Sequence, residues 1–573
     1  MHKHLFFVLF LWVTSLSSAQ VIYPQNYFDS PLHMPISLSG NFGEIRPNHF
    51  HAGFDIRTKN KEGLPVYAVA DGFVSRIKIS AIGYGKALYI THPNGFVSVY
   101  GHLNGFNVAI QAKAKALQYE LESFELDTLL NPERLPVKKG DLIGFTGNTG
   151  GSQAPHLHFE IRNEITEMPV NPYCFGYKVE DTVAPGIASL IVYPLGASST
   201  VNGKHAVKKI IPHKVNGAYQ LAKIDSLTLS GEIGFGINCY DRENAGSGTN
   251  NVYSIEMQAG GKRLFYYAME AFTFDNARYV NAHIDYAEKQ KTHQLIQKCF
   301  LSKNNILEIY KDVVNRGIVN FNDDADHWIT FIIKDYVGNT TQLALKVKSK
   351  PSTNVLSSPP VANLFDCLKD NTFSKPGIDL QIPAAALYDD LIFSYKKSPA
   401  LKGSLSPVYH LGTESIPLQK PVIISLAATA IPNKWKEKAC IVSLTATGKW
   451  SYEGGIYTDD KLISESKHFG KFAIVLDTLP PKIVPLLKLV KTDSIQDFRF
   501  LKALKFKATD NLSGVEHYRA TIDSHWVICE YDEKNDLLFY TFDDSIQSGV
   551  HEFKLEVTDD KDNKKEWKIR FRR

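Results

Sequence analysis

Cysteine is scarce in this chain. Six occur in 573 residues, scattered singly as Cys174, Cys239, Cys299, Cys367, Cys440 and Cys529. That spacing excludes a disulfide scaffold and offers no Cys-x-x-Cys pair for a thiolate zinc cluster, so free, buried thiols are expected. An excess of one charge is missing as well. Lys and Arg number 64 against 60 Asp and Glu, a net +4, which is too balanced for a nucleic-acid binder working by bulk charge. Long apolar runs are also absent. The most apolar stretch, Leu5 to Val13, falls well short of the ~20 residues that span a bilayer. With 22% charged residues and abundant Tyr and Phe, the composition is not that of a disordered chain.

That apolar stretch follows Met1-His2-Lys3-His4 and precedes the small residues Ser17-Ser18-Ala19. The pattern is that of a secretory signal peptide over residues 1–19, cut near Ala19–Gln20. No cysteine stands at the cut for a lipid anchor, so a secreted or periplasmic protein without a transmembrane segment is expected.

At ~150 residues per domain the length allows three or four domains. The expected fold class is mainly β. Residues 20–180 form a first domain dense in Gly, His and short alternating runs, with Pro93-Asn94-Gly95 marking a hairpin. Within it, Ala109 to Leu130 is rich in Ala, Lys, Glu, Leu and Gln, with Leu117, Leu121 and Phe124 at helical spacing. This predicts a helical insertion over about 109–133. Beyond Asp181 strand-like runs alternate with turns, and a loose repeat emerges. Asp181-Thr182-Val183-Ala184-Pro185 parallels Asp477-Thr478-Leu479-Pro480-Pro481, and Asp241 and its neighbours parallel Asp510-Asn511-Leu512-Ser513-Gly514. Asp335-Tyr336-Val337-Gly338-Asn339 parallels Asp559-Asp560-Lys561-Asp562-Asn563. The repeat suggests β-sandwich modules over 181–350 and 477–573, resembling bacterial immunoglobulin-like domains. Residues 351–476 are a β-rich block of no assigned type.

Three segments of the first domain share a polar–apolar alternation. In His49-Phe50-His51-Ala52-Gly53-Phe54-Asp55-Ile56-Arg57 an extended chain places His49, His51, Gly53, Asp55 and Arg57 on one face. In Phe96–Leu103, His102 would share a face with Tyr100 and Ser98. In His156-Leu157-His158-Phe159-Glu160-Ile161 both histidines and Glu160 share one. One sheet could bury the apolar set and present a metal centre on its other face. Imidazole and carboxylate suit Zn²⁺, and a catalytic zinc needs three protein ligands and an open position. His51, Asp55 and His158 fit the ligand set, with Gly53 leaving room for the ion and His156 beside it. Glu160 is read as ordinary strand polarity rather than as a partner of a ligand, and His92 as structural. Arg46 and Arg57 are read as surface residues, with a substrate carboxylate as the alternative.

At these residues the sequence resembles the lysostaphin/LytM-type zinc metallopeptidases, which cut peptide bonds in bacterial peptidoglycan. The matching pieces are His51-x-x-x-Asp55, Tyr100-Gly101-His102-Leu103, and Gly144 to Gly150 running into Pro155-His156-Leu157-His158-Phe159-Glu160. Val66 to Gly72 and Val137 to Asp141 support them. The resemblance covers about residues 40–175. It implies an antiparallel β-sheet domain with a groove, Zn²⁺ held by His51, Asp55 and His158, and His102 and His156 as catalytic residues. The substrate implied is the peptide stems or crosslinks of peptidoglycan. All five positions are intact, which favours hydrolysis over the alternative, a non-catalytic wall-binding activator of other hydrolases. The insertion near 109–133 departs from the family pattern and is a candidate lid over the groove. The downstream modules, without phased His or carboxylate sets, are expected to position or restrain the peptidase.

Overall fold

The computed structural model describes residues 22–133, 135–222, 226–244, 248–351, 363–487, 495–543 and 545–573; the expected signal peptide lies outside them. The chain is mostly β. No helix among the described residues is long and apolar enough to cross a membrane. All six cysteines are buried and unpaired with one another.

The first domain is built on an antiparallel sheet. Its strands run in the order Leu38–Gly40, Phe54–Arg57, His156–Asn163, Phe96–Leu103, Lys86–Thr91, Gly72–Ile79 and Leu126–Leu129. Alternation sets the layers. Phe54, Ile56, Tyr100, Leu157, Phe159 and Ile161 are fully buried on one face and pack into a single core. Each such side chain contributes about 1.5–3 kcal/mol by leaving water. The opposite face carries His158 and Glu160. Strand His156–Asn163 is the keystone, because it pairs Asp55 with His158 on one side and Gly101 with His158 on the other.

The predicted insertion contains one helix, Val108–Leu121, followed by strand Leu126–Leu129. Asn107 caps it by accepting from the Ile110 amide at 2.9 Å. Glu122, at φ 44°, ends it in the left-handed conformation. Ile110, Ala114 and Gln118 form its buried stripe.

Downstream, a sheet of thirteen strands spans residues 186–349 and is interrupted by the short helices Val280–His283 and Tyr286–Thr292. Two five-stranded sheets follow between Asn371 and Leu476. A four-stranded and a five-stranded sheet close over a shared core that includes Phe506, Leu538, Phe553 and Ile569. This last unit packs back onto the first domain. Tyr119 meets Trp526 edge to face at 5.2 Å, Glu122 pairs with Arg519 at 2.6 Å, and Lys115 pairs with Asp543.

Candidate metal centre

Five side chains converge on the polar face: Asp55, His102, His156 and His158 from three strands, and His51 from the connection between strands His49–Phe50 and Phe54–Arg57. Asp55 Oδ1 lies 2.8 Å from His158 Nδ1, 3.0 Å from His51 Nε2 and 3.2 Å from His156 Nε2. His51 Nε2 and His158 Nδ1 are themselves 3.0 Å apart. The His102 ring stands 4.8 Å from that of His156 and 5.7 Å from that of His158. The group opens onto a cleft of about 1270 Å³.

Each imidazole is tied down through one nitrogen. His51 Nδ1 donates to the Asn41 carbonyl at 2.7 Å, His102 Nδ1 to Thr149 O at 2.9 Å, and His156 Nδ1 to Ala154 O at 2.8 Å. His158 Nε2 donates to Glu160 Oε1 at 2.7 Å. A carbonyl oxygen only accepts, so the tied nitrogen carries the proton and the neutral ring turns its lone pair towards the others. The His156 Nε2 atom is buried and has no hydrogen-bond partner. Three free donors, two nitrogen and one carboxylate oxygen, with their far sides anchored by hydrogen bonds, make a donor set that fits zinc.

The electrostatics point the same way. Burial lowers His51. Burial, then the neighbouring His158 and His156, lowers His102 to about 3. For His158 burial also pulls down, but the hydrogen bonds and charges of Asp55 and Glu160 outweigh it and raise the ring to about 9. A cation at Nδ1 would displace that proton. Burial likewise raises Glu160, yet the Arg162 and His158 charges bring it down to about 2.

Several sequence expectations need correction. His102 was expected on the face of Tyr100 and Ser98, with the valines behind. In the structure Tyr100 and Ser98 point into the core, where the Tyr100 hydroxyl receives the Val69 amide at 3.1 Å and the Ser98 hydroxyl at 3.0 Å. Val99 lies on the polar face beside Tyr89 and Ala87. His102 reaches the centre because its φ is +57°, a left-handed residue that breaks the alternation. Gly53 does not make room for an ion. A Cβ there would run into the Phe159 carbonyl and approach Glu160 Cγ to 2.8 Å, so glycine permits the close passage of strand His156–Asn163. Glu160 is not mere strand polarity. It is fully buried and accepts from His158, from Tyr84 OH at 2.6 Å and from Arg162 Nε at 2.6 Å. The signal was present in His158-x-Glu160-x-Arg162, three polar residues in phase on a strand that is otherwise core. Tyr84 carried no comparable signal. Neither arginine is a free surface group. Arg46 pairs with Asp55 Oδ2 and with Glu44 at 3.1 Å, and Arg57 Nε donates to Leu38 O at 2.9 Å. His92 is structural, held between Asp71 O and Ser98 Oγ at 2.8 Å each.

The candidate lid does not cover the cleft. No residue of 109–133 lines it, and the helix instead receives the last β-unit. The wall opposite the sheet comes from the second unit, through Phe274, Ala277 and Arg278, with Phe274 lying under the Arg162 guanidinium at 4.5 Å.

Comparisons with known proteins bear on the same region. The profile of Peptidase family M23 matches residues 49–119 and 123–172, a range that includes all five converging side chains, and that of a Zu5-like domain matches residues 362–477. The chain is 37% identical over 122 residues to the DD-carboxypeptidase/endopeptidase Mpg of Neisseria meningitidis, covering 21% of this chain and 22% of that protein. The match thus spans about a fifth of that relative's length. The catalytic domain of lysostaphin from Staphylococcus simulans is similar at 24% identity, with 24% of this chain and 91% of that chain covered and a TM-score of 0.19. Lipoprotein NlpD of Yersinia enterocolitica is 32% identical over 100 residues, which is 18% of this chain and 78% of that protein. With most of that relative covered and the profile running through the whole histidine constellation, the chain belongs to peptidase family M23.

Proposed function

We propose that this protein is an exported zinc metalloendopeptidase that hydrolyses peptide crosslinks of bacterial peptidoglycan. One observation carries the reading: His51, His156 and His158, each pinned through one nitrogen, turn the other towards the Asp55 carboxylate, with the His102 ring beside them on an open cleft. His51 through Nε2, His158 through Nδ1 and Asp55 through Oδ1 would hold the ion. Bound zinc supplies Lewis acidity, polarising the scissile carbonyl and making water acidic enough to attack it.

The chain's own residues do the rest. His102 and His156 present unprotonated nitrogens, so each can accept a proton but neither can donate one until it has accepted. The proton taken from water by one imidazole is therefore the one available to the developing oxyanion or the leaving amine. The Thr149 and Ala154 carbonyls hold these rings in the accepting tautomer. Arg46 and Glu160 fix the outer sides of Asp55 and His158, so the ligands are set before an ion arrives. Phe274 and Arg278 narrow the cleft and would contact the stem peptide.

Similar proteins include a DD-carboxypeptidase/endopeptidase and a cell division protein, and we take wall peptides as the substrate class of this chain. We further take residues 20–180 as the peptidase domain, 181–350 and 477–573 as immunoglobulin-like sandwiches, and 351–476 as the Zu5-like unit. Incubation of the zinc-loaded protein with purified peptidoglycan, followed by mass identification of released muropeptides, tests the reading. New amine and carboxyl termini at crosslinks support it. Intact crosslinks with bound zinc, or a protein that takes up no zinc, reject it and leave the activator role.

A further inference from the structure

The repeat noticed in the sequence has a chemical content that the peptidase reading does not use. Its three recurring phrases each contribute one aspartate, and in both copies the structure draws them together. Asp181, Asp241 and Asp335 offer carboxylate oxygens all within 4.8 Å of one another, as do Asp477, Asp510 and Asp559. The two sites share most of their hydrogen-bonding pattern. Asp335 Oδ1 accepts from the Gly338 and Asn339 amides at 2.7 and 2.8 Å, and the Asn339 side chain donates to the Asp181 carbonyl at 3.3 Å. Asp559 Oδ1 accepts from the Lys561 and Asn563 amides at 2.9 and 2.8 Å, and the Asn563 side chain donates to the Asp477 carbonyl at 3.2 Å.

Three carboxylates held this closely need a positive partner, and the protein supplies none. Among the described residues no Lys, Arg or His lies within ion-pair distance of any of the six. A fourth cluster shows the contrast: Asp366 and Asp390 meet around Lys303 Nζ, at 3.2 and 2.9 Å. Asp241 is only 4% exposed, yet its Oδ1 has no hydrogen-bond partner. Asp477 is fully buried with Oδ1 equally unpartnered, and Asp510 Oδ1 is unpartnered too. A buried, unpaired carboxylate oxygen aimed at two others is unfavourable unless a cation joins them. The first cluster borders a small cavity of about 20 Å³, walled by Asn41 and Tyr173 of the peptidase domain and Tyr336 of the next unit. That is room for a single ion or water.

We propose that these two aspartate triads are calcium sites, one at the entrance to each repeated β-unit. The donors are all oxygen, which excludes a preference for zinc or copper and selects a hard cation. Three carboxylates with neighbouring carbonyl and amide oxygens suit the 6–8 ligands of calcium, whereas magnesium demands a small octahedron and keeps its waters. The placement gives the ion a purpose. Asp181 and Asp477 sit where the chain enters a unit, and their partners lie on that unit's loops. Calcium therefore fastens each unit to what precedes it, the first one to the wall of the peptidase domain. This proposal is independent of the peptidase reading.

Equilibrium dialysis of the full-length, zinc-loaded protein against calcium tests it, with terbium luminescence as a second readout. Two calcium ions per chain are expected, falling to one in Asp241→Asn and to one in Asp477→Asn. Terbium emission excited through tyrosine should fall in both variants, because Tyr173 and Tyr336 border the first cavity and Tyr452 meets Asp560, next to Asp559 of the second triad. One ion per chain, removed by Asp241→Asn alone, refutes the second site and sustains the first. No calcium in the wild-type protein, saturation by magnesium at equal concentration, or a stoichiometry unmoved by either substitution overturns the proposal.

Discussion

Asp55 and Asp241 are the same residue type in opposite circumstances. Both are more than nine-tenths buried, at 6% and 4% exposure. Burial raises Asp55, but the charge of His51 and hydrogen bonds from His156, His158 and His51 reverse it and hold the acid well below its ordinary range. Burial raises Asp241 as well, and there Asp181 and Asp335 add to the effect, pushing it up to about 7. The first acid is surrounded by nitrogen and opens on a large cleft; the second is surrounded by oxygen and opens on almost nothing. Burial thus does not decide what an acid does. Its neighbours choose the ion, and its access decides whether that ion can meet a substrate.

The difference can be broken most severely at the centre itself. His51→Ala or Asp55→Ala should reduce bound zinc from one per chain to near none and abolish muropeptide release; metal analysis of the purified variants checks this. If Asp55→Ala still bound zinc stoichiometrically, the nitrogen-rich cluster would not be the site. Next in size is His102→Ala. It should keep its zinc while kcat falls by about 10²–10⁴, the usual worth of a positioned proton acceptor. Full turnover in that variant would remove His102 from the chemistry. Smaller again is Glu160→Gln, which leaves the donors in place but weakens the anchor of His158. Zinc affinity should drop by about 10–100-fold, read by competition with a chromogenic chelator. An unchanged affinity would mean that Arg162 and Tyr84 hold the ring without it.

How much of this could be read beforehand depended on whether the chain keeps its alternation. Asp55 and His158 are legible because strands Phe54–Arg57 and His156–Asn163 are regular and alternate residues there share a face, whereas the expected extended run from His49 to Arg57 is interrupted at 51–53 and His51 reaches the centre from that connection. His102 is legible as a residue of the centre but not its separation from Tyr100 and Ser98, since a left-handed residue at the end of a strand has no signature unless it is glycine or asparagine. Tyr84 lies on another loop and meets Glu160 only through the folded sheet. The role of helix Val108–Leu121 was illegible for a different reason. Its exposed side chains Tyr119 and Lys115 look like any solvated face, and their partners Trp526 and Asp543 are more than 400 positions away. The aspartate phrases were visible as turns, where Asp is common for local hydrogen bonding. Their convergence required knowing that each unit brings its entrance and two loops to one end.

The weakest expected effect asks whether the division between a catalytic domain and supporting units is complete. Lys534, from the last unit, donates to Ser152 O at 2.8 Å and also to Asn148 O. These carbonyls belong to the loop whose Thr149 O orients His102 and whose Ser152 Oγ lies 3.2 Å from His156 Nδ1. The ammonium therefore braces the loop that sets both proton acceptors without touching either. Lys534 is exposed, so its hydrogen bonds contribute only about 1 kcal/mol. If all of that reaches the transition state, Lys534→Met should lower kcat/KM by roughly fivefold. Zinc content should not change, because neither carbonyl contacts His51, Asp55 or His158. Kinetics on a crosslinked muropeptide, with metal analysis of the same sample, reads both quantities. Loss of zinc would place the brace on the ligands instead. Unchanged kcat/KM would make Lys534 a docking contact alone, and the separation between the two regions would then hold for catalysis as it does for donor chemistry.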